Sequence, residues 1–309
     1  MKGLELSEKY FFEACLPILR RELPHCLDKI AVGLVGEGSD CFGWDDELSR
    51  DHSWGPRLCL WLSRQDLMRF ESELSCVIKL FPDSFEGFSV QPPLPQEGKR
   101  SGLFEVGKFY TMLIGRAGAP ETPDDWMATD EVRLAAASNG KVFWDPAGDF
   151  TAIRNDLLAY YPEDVRLRHL AQYAAVAAQT GQYNLSRCRM RGDAMASYVA
   201  KSKFVESVAA MTFLLNRRYR PFYKWTFHAM SALPLVSGKV YPLLEELVAS
   251  ARAETEQRLV ERIAAVILEE LRHQDLTASG SNFLMDHCGA LLSRIEDSHL
   301  SSAPISLLL

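Results

Sequence analysis

The sequence predicts an α+β protein: a mixed β-sheet domain with flanking helices over residues 1–150, followed by an all-α helical bundle over residues 151–309. Two textures predict it. Between Ile30 and Asp145, short apolar runs alternate with Gly, Pro and acidic turns, the pattern of strands bounded by turn residues. After Pro162, apolar residues recur at helical spacing over long stretches free of turn signals. The length, 309 residues, also favours two cores over one.

In order along the chain, residues 7–21 read as a first helix, and IAVGLVG as a strand that ends in glycine. LCLWL is the second strand, and residues 66–81 a helix. FEGFSV and GLFEV read as further strands, separated by a surface excursion marked by Pro92, Pro93, Pro95 and Gly98. Residues 130–137 read as helix and KVFWD as the last strand. In the bundle, residues 163–179 put Val165, Leu167, Leu170, Tyr173, Ala174 and Ala177 close to one face. Residues 193–217 contain neither Gly nor Pro, with Asp193 placed to cap the start. Residues 241–252, 254–273 and 282–296 complete the set, while Pro221 and Pro234 must end or kink helices.

Composition narrows the function. A formal charge of −7 argues against nucleic acid as a partner, because phosphate binding normally shows as net positive charge. No run approaches the roughly 18 apolar residues of a spanning helix, so no membrane is expected. Glu5, Glu8, Lys9 and Glu13 interrupt the N-terminal stretch, which therefore lacks the apolar core of an export signal. Seven scattered cysteines, never spaced CxxC, then read as reduced thiols in a cytoplasmic protein, without zinc.

The stretch VGLVGEGSDCFGWDDELSRDHSWGPRLCLWL carries the chemistry. Its first apolar run reaches Gly38-Ser39, crosses Asp40, Asp45, Asp46, Glu47 and Asp51, and re-enters apolar sequence. A glycine there permits a backbone approach that a side chain would block. A following turn or helix start then offers N–H groups and the Ser39 hydroxyl to a phosphate. Asp51, twelve residues on, is placed at the start of the next strand, where a carboxylate can hold a hard divalent cation against phosphate oxygens.

An apolar residue, Gly-Ser, about a dozen residues and then an acidic strand start together resemble the nucleotidyltransferase superfamily. GS-x-x-x-G-x-DDELS-x-DH-x-WGP resembles one bacterial branch of it, which joins this motif to a C-terminal helical domain of unknown function. Gly38, Ser39, Gly43, Asp45, Asp46, Ser49, Asp51, His52, Trp54, Gly55 and Pro56 match. KVFWD with Gly148, YYPEDVRLRHLAQ, RGDAMAS and NRRYRPFYKW resemble further segments of that branch, and the similarity fades after about residue 235.

The resemblance implies a nucleoside triphosphate held with Mg²⁺ or Mn²⁺, and transfer of its nucleoside monophosphate to a nucleophile of a small-molecule acceptor, with release of pyrophosphate. Asp51 would be the metal-holding catalytic residue, Gly38 and Ser39 would hold phosphate, and Lys224 with Arg218 or Arg217 would neutralise the triphosphate. Glu105 in GLFEV is a candidate third carboxylate or general base. The chain departs from the branch at Ser53, where D-H-D-W-G-P becomes Asp51-His52-Ser53-Trp54-Gly55-Pro56. That leaves a one-metal enzyme, an enzyme that recruits Asp45 or Asp46 as metal ligand, or a nucleotide-binding module without catalysis. A modifier of a protein or tRNA is the remaining alternative. The aromatics Tyr219, Phe222, Tyr223 and Trp225 read as packing, and the alternating Arg187, Arg189 and Arg191 as a solvated face.

Overall fold

The computed structural model describes residues 1–50, 54–90 and 101–307. The fold is α+β, and the chain divides into two compact units, Met1–Glu121 with Thr129–Ala159, and Thr122–Ala128 with Tyr160–Leu309.

The first unit opens on a helical run: α1 (Gly3–Lys9), a π-helical stretch (Tyr10–Cys15) and α2 (Leu16–Glu22). Its strands are β1 (Ala31–Leu34), β2 (Cys59–Leu62), β3 (Ser84–Phe85), β4 (Phe88–Ser89), β5 (Gly102–Glu105) and β6 (Lys141–Trp144). The main sheet has the order β5-β2-β1-β6. β1 runs antiparallel to both β2 and β6, while β2 and β5 are parallel, so the sheet is mixed. Helices α3 (Arg64–Ile78), α4 (Val106–Ile114), α6 (Glu131–Ser138) and α7 (Asp149–Leu158) belong to this unit, and α5 (Pro123–Ala128) to the second.

β2 is buried along its whole length, and strand alternation sorts its side chains into two layers. Leu60 and Leu62 join Val32 in a core with Tyr10, Phe11, Leu16 and Leu19 of the N-terminal helical run and Phe70 and Leu74 of α3. Trp61, fully buried, turns the other way. It stacks on Phe150 of α7 at 3.8 Å and meets Phe109 of α4 edge-on at 5.2 Å.

FEGFSV is not one strand. Glu86 and Gly87 take positive φ angles (47° and 84°) and turn the segment into the β3–β4 hairpin, the geometry that a tight two-residue connection requires. The second apolar strand also begins later than its acidic approach implies: β2 starts at Cys59, and Asp51, His52 and Ser53 lie outside the described residues. So do Pro92, Pro93, Pro95 and Gly98.

The second unit is helical. α8 (Glu163–Ala177), a π-helical stretch (Ala178–Leu185) and α9 (Ser186–Met190) follow one another without a break, well past the expected end at residue 179. α10 (Ala194–Leu215) packs along α8, with residues 207–215 buried on every side, so this half of the helix is the centre of the bundle. Asp193 Oδ1 caps its start by accepting Ala196 N–H at 2.9 Å. α11 (Tyr223–Ser231), α12 (Ser237–Ala249), α13 (Ala253–His273), α14 (Cys288–Leu292) and α15 (Ser298–Ser302) follow. α13 buries Leu259, Val260, Ile263, Ile267, Leu268 and Leu271, a stripe at spacings of three and four. The expected helix over residues 282–296 is shorter, a 3₁₀ turn (Leu284–His287) leading into α14. His287 is fully buried there and tied to Thr277 Oγ1 and Ser281 O at 2.9 and 3.0 Å, which holds the chain in a loop before it.

Among the described residues no helix is long and apolar enough to cross a membrane, and no disulfide joins the cysteines.

Candidate functional site

The 24 residues between β1 and β2 form a connection far longer than a hairpin needs. Its first part is a compact turn rather than a helix start. Gly43 N–H donates to Asp40 O at 3.0 Å and Trp44 N–H to Ser39 O at 2.8 Å, closing the chain around Asp40–Gly43. Phe42 and Trp44 stack at 4.6 Å over it.

Gly38 is required here for a reason the sequence does not show. Its φ is +139°, and a Cβ would sit 2.5 Å from Asp40 Oδ1 and 2.9 Å from Arg57 Nη2. Those atoms form an ion pair 2.5 Å long, with side chains 5% and 4% exposed. Burial alone would weaken the Arg57 proton affinity. The field of Asp40, with smaller contributions from Cys41 and Cys59, overcomes it and the guanidinium pKa is raised. Asp40 Oδ1 also accepts Cys41 N–H at 3.0 Å, and Arg57 N–H donates to Ser7 Oγ at 3.2 Å. The turn bearing Gly38 and Ser39 is thus anchored to the entry of β2 and to α1.

A second brace comes from the opposite edge. The Asn139 side-chain amide pairs with the backbone of Gly36: Gly36 N–H donates to Oδ1 at 3.0 Å, and Nδ2–H donates to Gly36 O at 2.7 Å. Arg154 Nη2 donates to Asn139 O and Gly140 O at 2.9 and 3.0 Å. Gly140 has φ +63°, and a Cβ there would lie 1.9 Å from Leu34 O, so only glycine allows the two segments to approach this closely. Asn139→Ala is expected to cost about 1–3 kcal/mol, because it strands the buried N–H and C=O of Gly36. Faster hydrogen exchange at the Gly36 amide, two residues before Gly38, is the measurement that checks it.

The expected acids separate. Asp45 is buried, and its Oδ2 accepts Gly3 N–H and Trp54 Nε1–H, each at 2.8 Å. Lys2 Nζ donates to Asp45 O. The carboxylate therefore stands at the N-terminus of α1, where the helix dipole favours negative charge. Its other oxygen, Oδ1, is buried without a partner. Asp46 faces solvent, and its Oδ1 accepts from Ser49 N–H and Ser49 Oγ–H, both at 2.9 Å, bonds that lower its pKa. Asp51, the expected principal metal ligand, lies outside the described residues, with Ser53. Glu105 ends β5 opposite Leu62, at the N-cap position of α4, with Lys108 Nζ 3.4 Å from its Oε2. Among the described residues no three His, Cys, Asp or Glu side chains converge as a metal-holding group. Asp45 Oδ1 fits a hard cation as one carboxylate donor of a set.

In the second unit Arg218 is exposed, and its carbonyl accepts Tyr160 Oη–H at 3.3 Å. Lys224, also exposed, lies on the first turn of α11 with its Nζ 5.2 Å from the Trp225 ring centroid. Arg217 pairs at 2.7 Å with Glu163 of the same unit. Tyr219 packs among Tyr160 and Tyr161 at 4.8 and 5.0 Å, as packing predicts. Phe222 and Tyr223 do not: they are 50% and 75% exposed and lean on each other at 4.3 Å. Arg189 is no solvated charge, since it holds the buried carboxylate of Glu256 through Nε at 2.7 Å and Nη2 at 2.5 Å.

Sequence reasoning missed Arg57, Asn139 and Glu256. Glu256 left a signal, since it falls on the apolar stripe three, four and seven residues before Leu259, Val260 and Ile263. Arg57 and Asn139 left none, because their partners are 17 and 103 residues away.

Residues 126–226 match the family described as "Domain of unknown function (DUF4037)", a stretch that contains YYPEDVRLRHLAQ and NRRYRPFYKW. The fold is similar at a TM-score of 0.36 to the crystal structure of a nucleotidyltransferase-like protein from Exiguobacterium sibiricum 255-15. The two are 12% identical over 85% of this chain and 75% of that one. No curated protein matches.

Proposed function

We propose that the protein is a metal-dependent nucleotidyltransferase that binds a nucleoside triphosphate at the Gly38–Ser39 turn and transfers its nucleoside monophosphate to a small-molecule acceptor. The observation that carries this reading is the turn itself. It follows a central strand of a mixed sheet, is held from one side by Asn139 and from the other by the Asp40–Arg57 pair, and lies within a motif that resembles the superfamily's. Such bracing keeps backbone N–H groups oriented before a ligand arrives, so that binding spends little on ordering.

Asp51 and Asp45 would hold Mg²⁺ or Mn²⁺, with the partnerless Asp45 Oδ1 as the donor on the second residue. The metal would supply charge neutralisation at the phosphates. Ser39 would donate its hydroxyl to a phosphate oxygen. Glu105, at the end of β5 and 3.4 Å from Lys108 Nζ, would accept the proton of the acceptor hydroxyl.

Ser53 favours a second reading, a nucleotide-binding module that has lost transfer, because a neutral hydroxyl is a far poorer ligand for a hard cation than the carboxylate it replaces. Pyrophosphate release, measured for the parent and for Ser53→Asp, separates the two. The transferase reading predicts metal-dependent release by the parent. Release that appears only in Ser53→Asp establishes the second reading instead.

A further inference from the structure

In the second unit, three polar side chains spaced four residues apart on one face of α8 grip the backbone of residues 296–306. Asp164 Oδ1 and Oδ2 accept Glu296 N–H and Asp297 N–H at 3.2 and 2.9 Å. Arg168 Nη2 donates to Pro304 O at 2.8 Å. Gln172 Oε1 accepts Ser306 N–H at 3.0 Å, and its Nε2–H donates to Ser306 O. Beyond α15 the grip rests on little burial. Pro304, Ser306 and Leu307 are exposed, and Ala303 and Ile305 only half-buried. A segment that buries so little apolar surface opens at low cost.

Beneath that segment the charge is out of balance. Arg168 is 6% exposed, and among the described residues no carboxylate pairs with it, Asp164 included. Its Nη2 meets a neutral carbonyl, its Nη1 has no partner, and burial lowers its pKa. His169 does not compensate: burial, then the charges of Arg168 and Arg220, push its pKa down to about 4 and leave it neutral in a positive field. A guanidinium taken out of water is unfavourable without a counter-charge. Its planar fork suits the paired oxygens of a phosphate or carboxylate, whereas Pro304 O supplies one bond and no charge.

We propose that Arg168 is an oxyanion site masked by its own chain: a phosphate or carboxylate group takes the guanidinium in place of Pro304 O and frees residues 303–307 from α8. Nη2 becomes reachable because the group bonded to it is the one displaced. Asp164 keeps the chain anchored at Glu296 and Asp297, which confines the release to the segment beyond α15.

The Ile305 and Ser306 amides are followed in ¹H–¹⁵N spectra of the full chain without nucleotide, with sodium phosphate, sodium acetate and sodium chloride at matched ionic strength. Phosphate or acetate is expected to move both saturably toward their unfolded positions, chloride not, and the anion that acts at lower concentration identifies the source. Arg168→Gln is expected to abolish the response. Gln172→Ala, at a half-buried position, removes both bonds to Ser306 and raises the open fraction, so half-response at Ile305 is expected at an anion concentration about tenfold lower. That shift serves as the test if Arg168→Gln does not fold. No response to either oxyanion, an equal response to chloride, an undiminished response in Arg168→Gln, or an unchanged half-response in Gln172→Ala would overturn the proposal. Phosphate bound at the Gly38 turn cannot produce a response that requires Arg168, so failure of the transferase reading leaves this result untouched.

Discussion

Asp40→Ala is expected to lower stability by about 3–5 kcal/mol, the cost of breaking a buried ion pair from one side. Asp40 and Arg57 are 5% and 4% exposed, so the stranded guanidinium would have neither water nor a counter-charge. The loss also reaches further than the pair. Cys41 N–H would lose its acceptor, and the turn would lose the contact that shapes it around Gly38. Replacing both partners, Asp40→Ala with Arg57→Leu, is expected to recover much of the loss, because no uncompensated charge remains. Urea unfolding followed by the fluorescence of Trp44 and Trp61 measures both variants. A loss below about 1 kcal/mol in the single variant would mean that the pair behaves as a surface contact.

Glu256→Gln is expected to be as severe in the helical unit. The Glu256 side chain is 1% exposed and faces two cations: Arg189 Nη2 at 2.5 Å and Lys201 Nζ at 2.6 Å. Lys201 Nζ also donates to Leu247 O and Ser250 O, so one ammonium joins α10 and the end of α12 to the start of α13. Removing the carboxylate charge leaves two cations facing each other, at a cost of about 3–5 kcal/mol.

The same site fixes an acid dependence. Burial pushes the Glu256 pKa up, but hydrogen bonds from Arg189 and Lys201 and their charges win, and it lies below the ordinary value of 4.5. A carboxyl with a depressed folded pKa adds stability above its unfolded pKa, lost as pH falls through the folded one. The parent is therefore expected to lose a step of stability below pH 4.5 that Glu256→Gln lacks, seen as converging melting temperatures on acidification.

Much of the fold was legible in the sequence. Four apolar runs became the strands of the main sheet, and the turn residues that punctuate them mark where chain direction changes. FEGFSV misled because its composition suits a strand, while the turn at Glu86-Gly87 requires positive φ at two successive positions. The helix through Gly181 was hidden because glycine ordinarily stops a helix. Here a Cβ would sit 2.1 Å from Phe204 Cδ2, so the glycine serves close packing of α10 on the continuing helix.

The candidate site was legible in part. Gly38 and Ser39 lie in an ordered turn after β1, as the apolar-run-then-Gly-Ser pattern implies. What holds the turn was not legible, because Asn139 and Arg57 are polar residues whose roles exist only once distant segments meet. Asp45 and Asp46 are neighbours with opposite fates. One is buried against α1 and the other turned to solvent, a difference that composition cannot express.

A thermal-shift titration with ATP, GTP, CTP and UTP, each with and without Mg²⁺ or Mn²⁺, tests the central claim most directly. A ligand at a hundred times its dissociation constant adds about 2.7 kcal/mol to stability, a readily visible shift. The nucleotidyltransferase reading predicts a metal-dependent rise for at least one nucleotide, lost in Asp51→Ala. No rise with any nucleotide, with either metal, would contradict it.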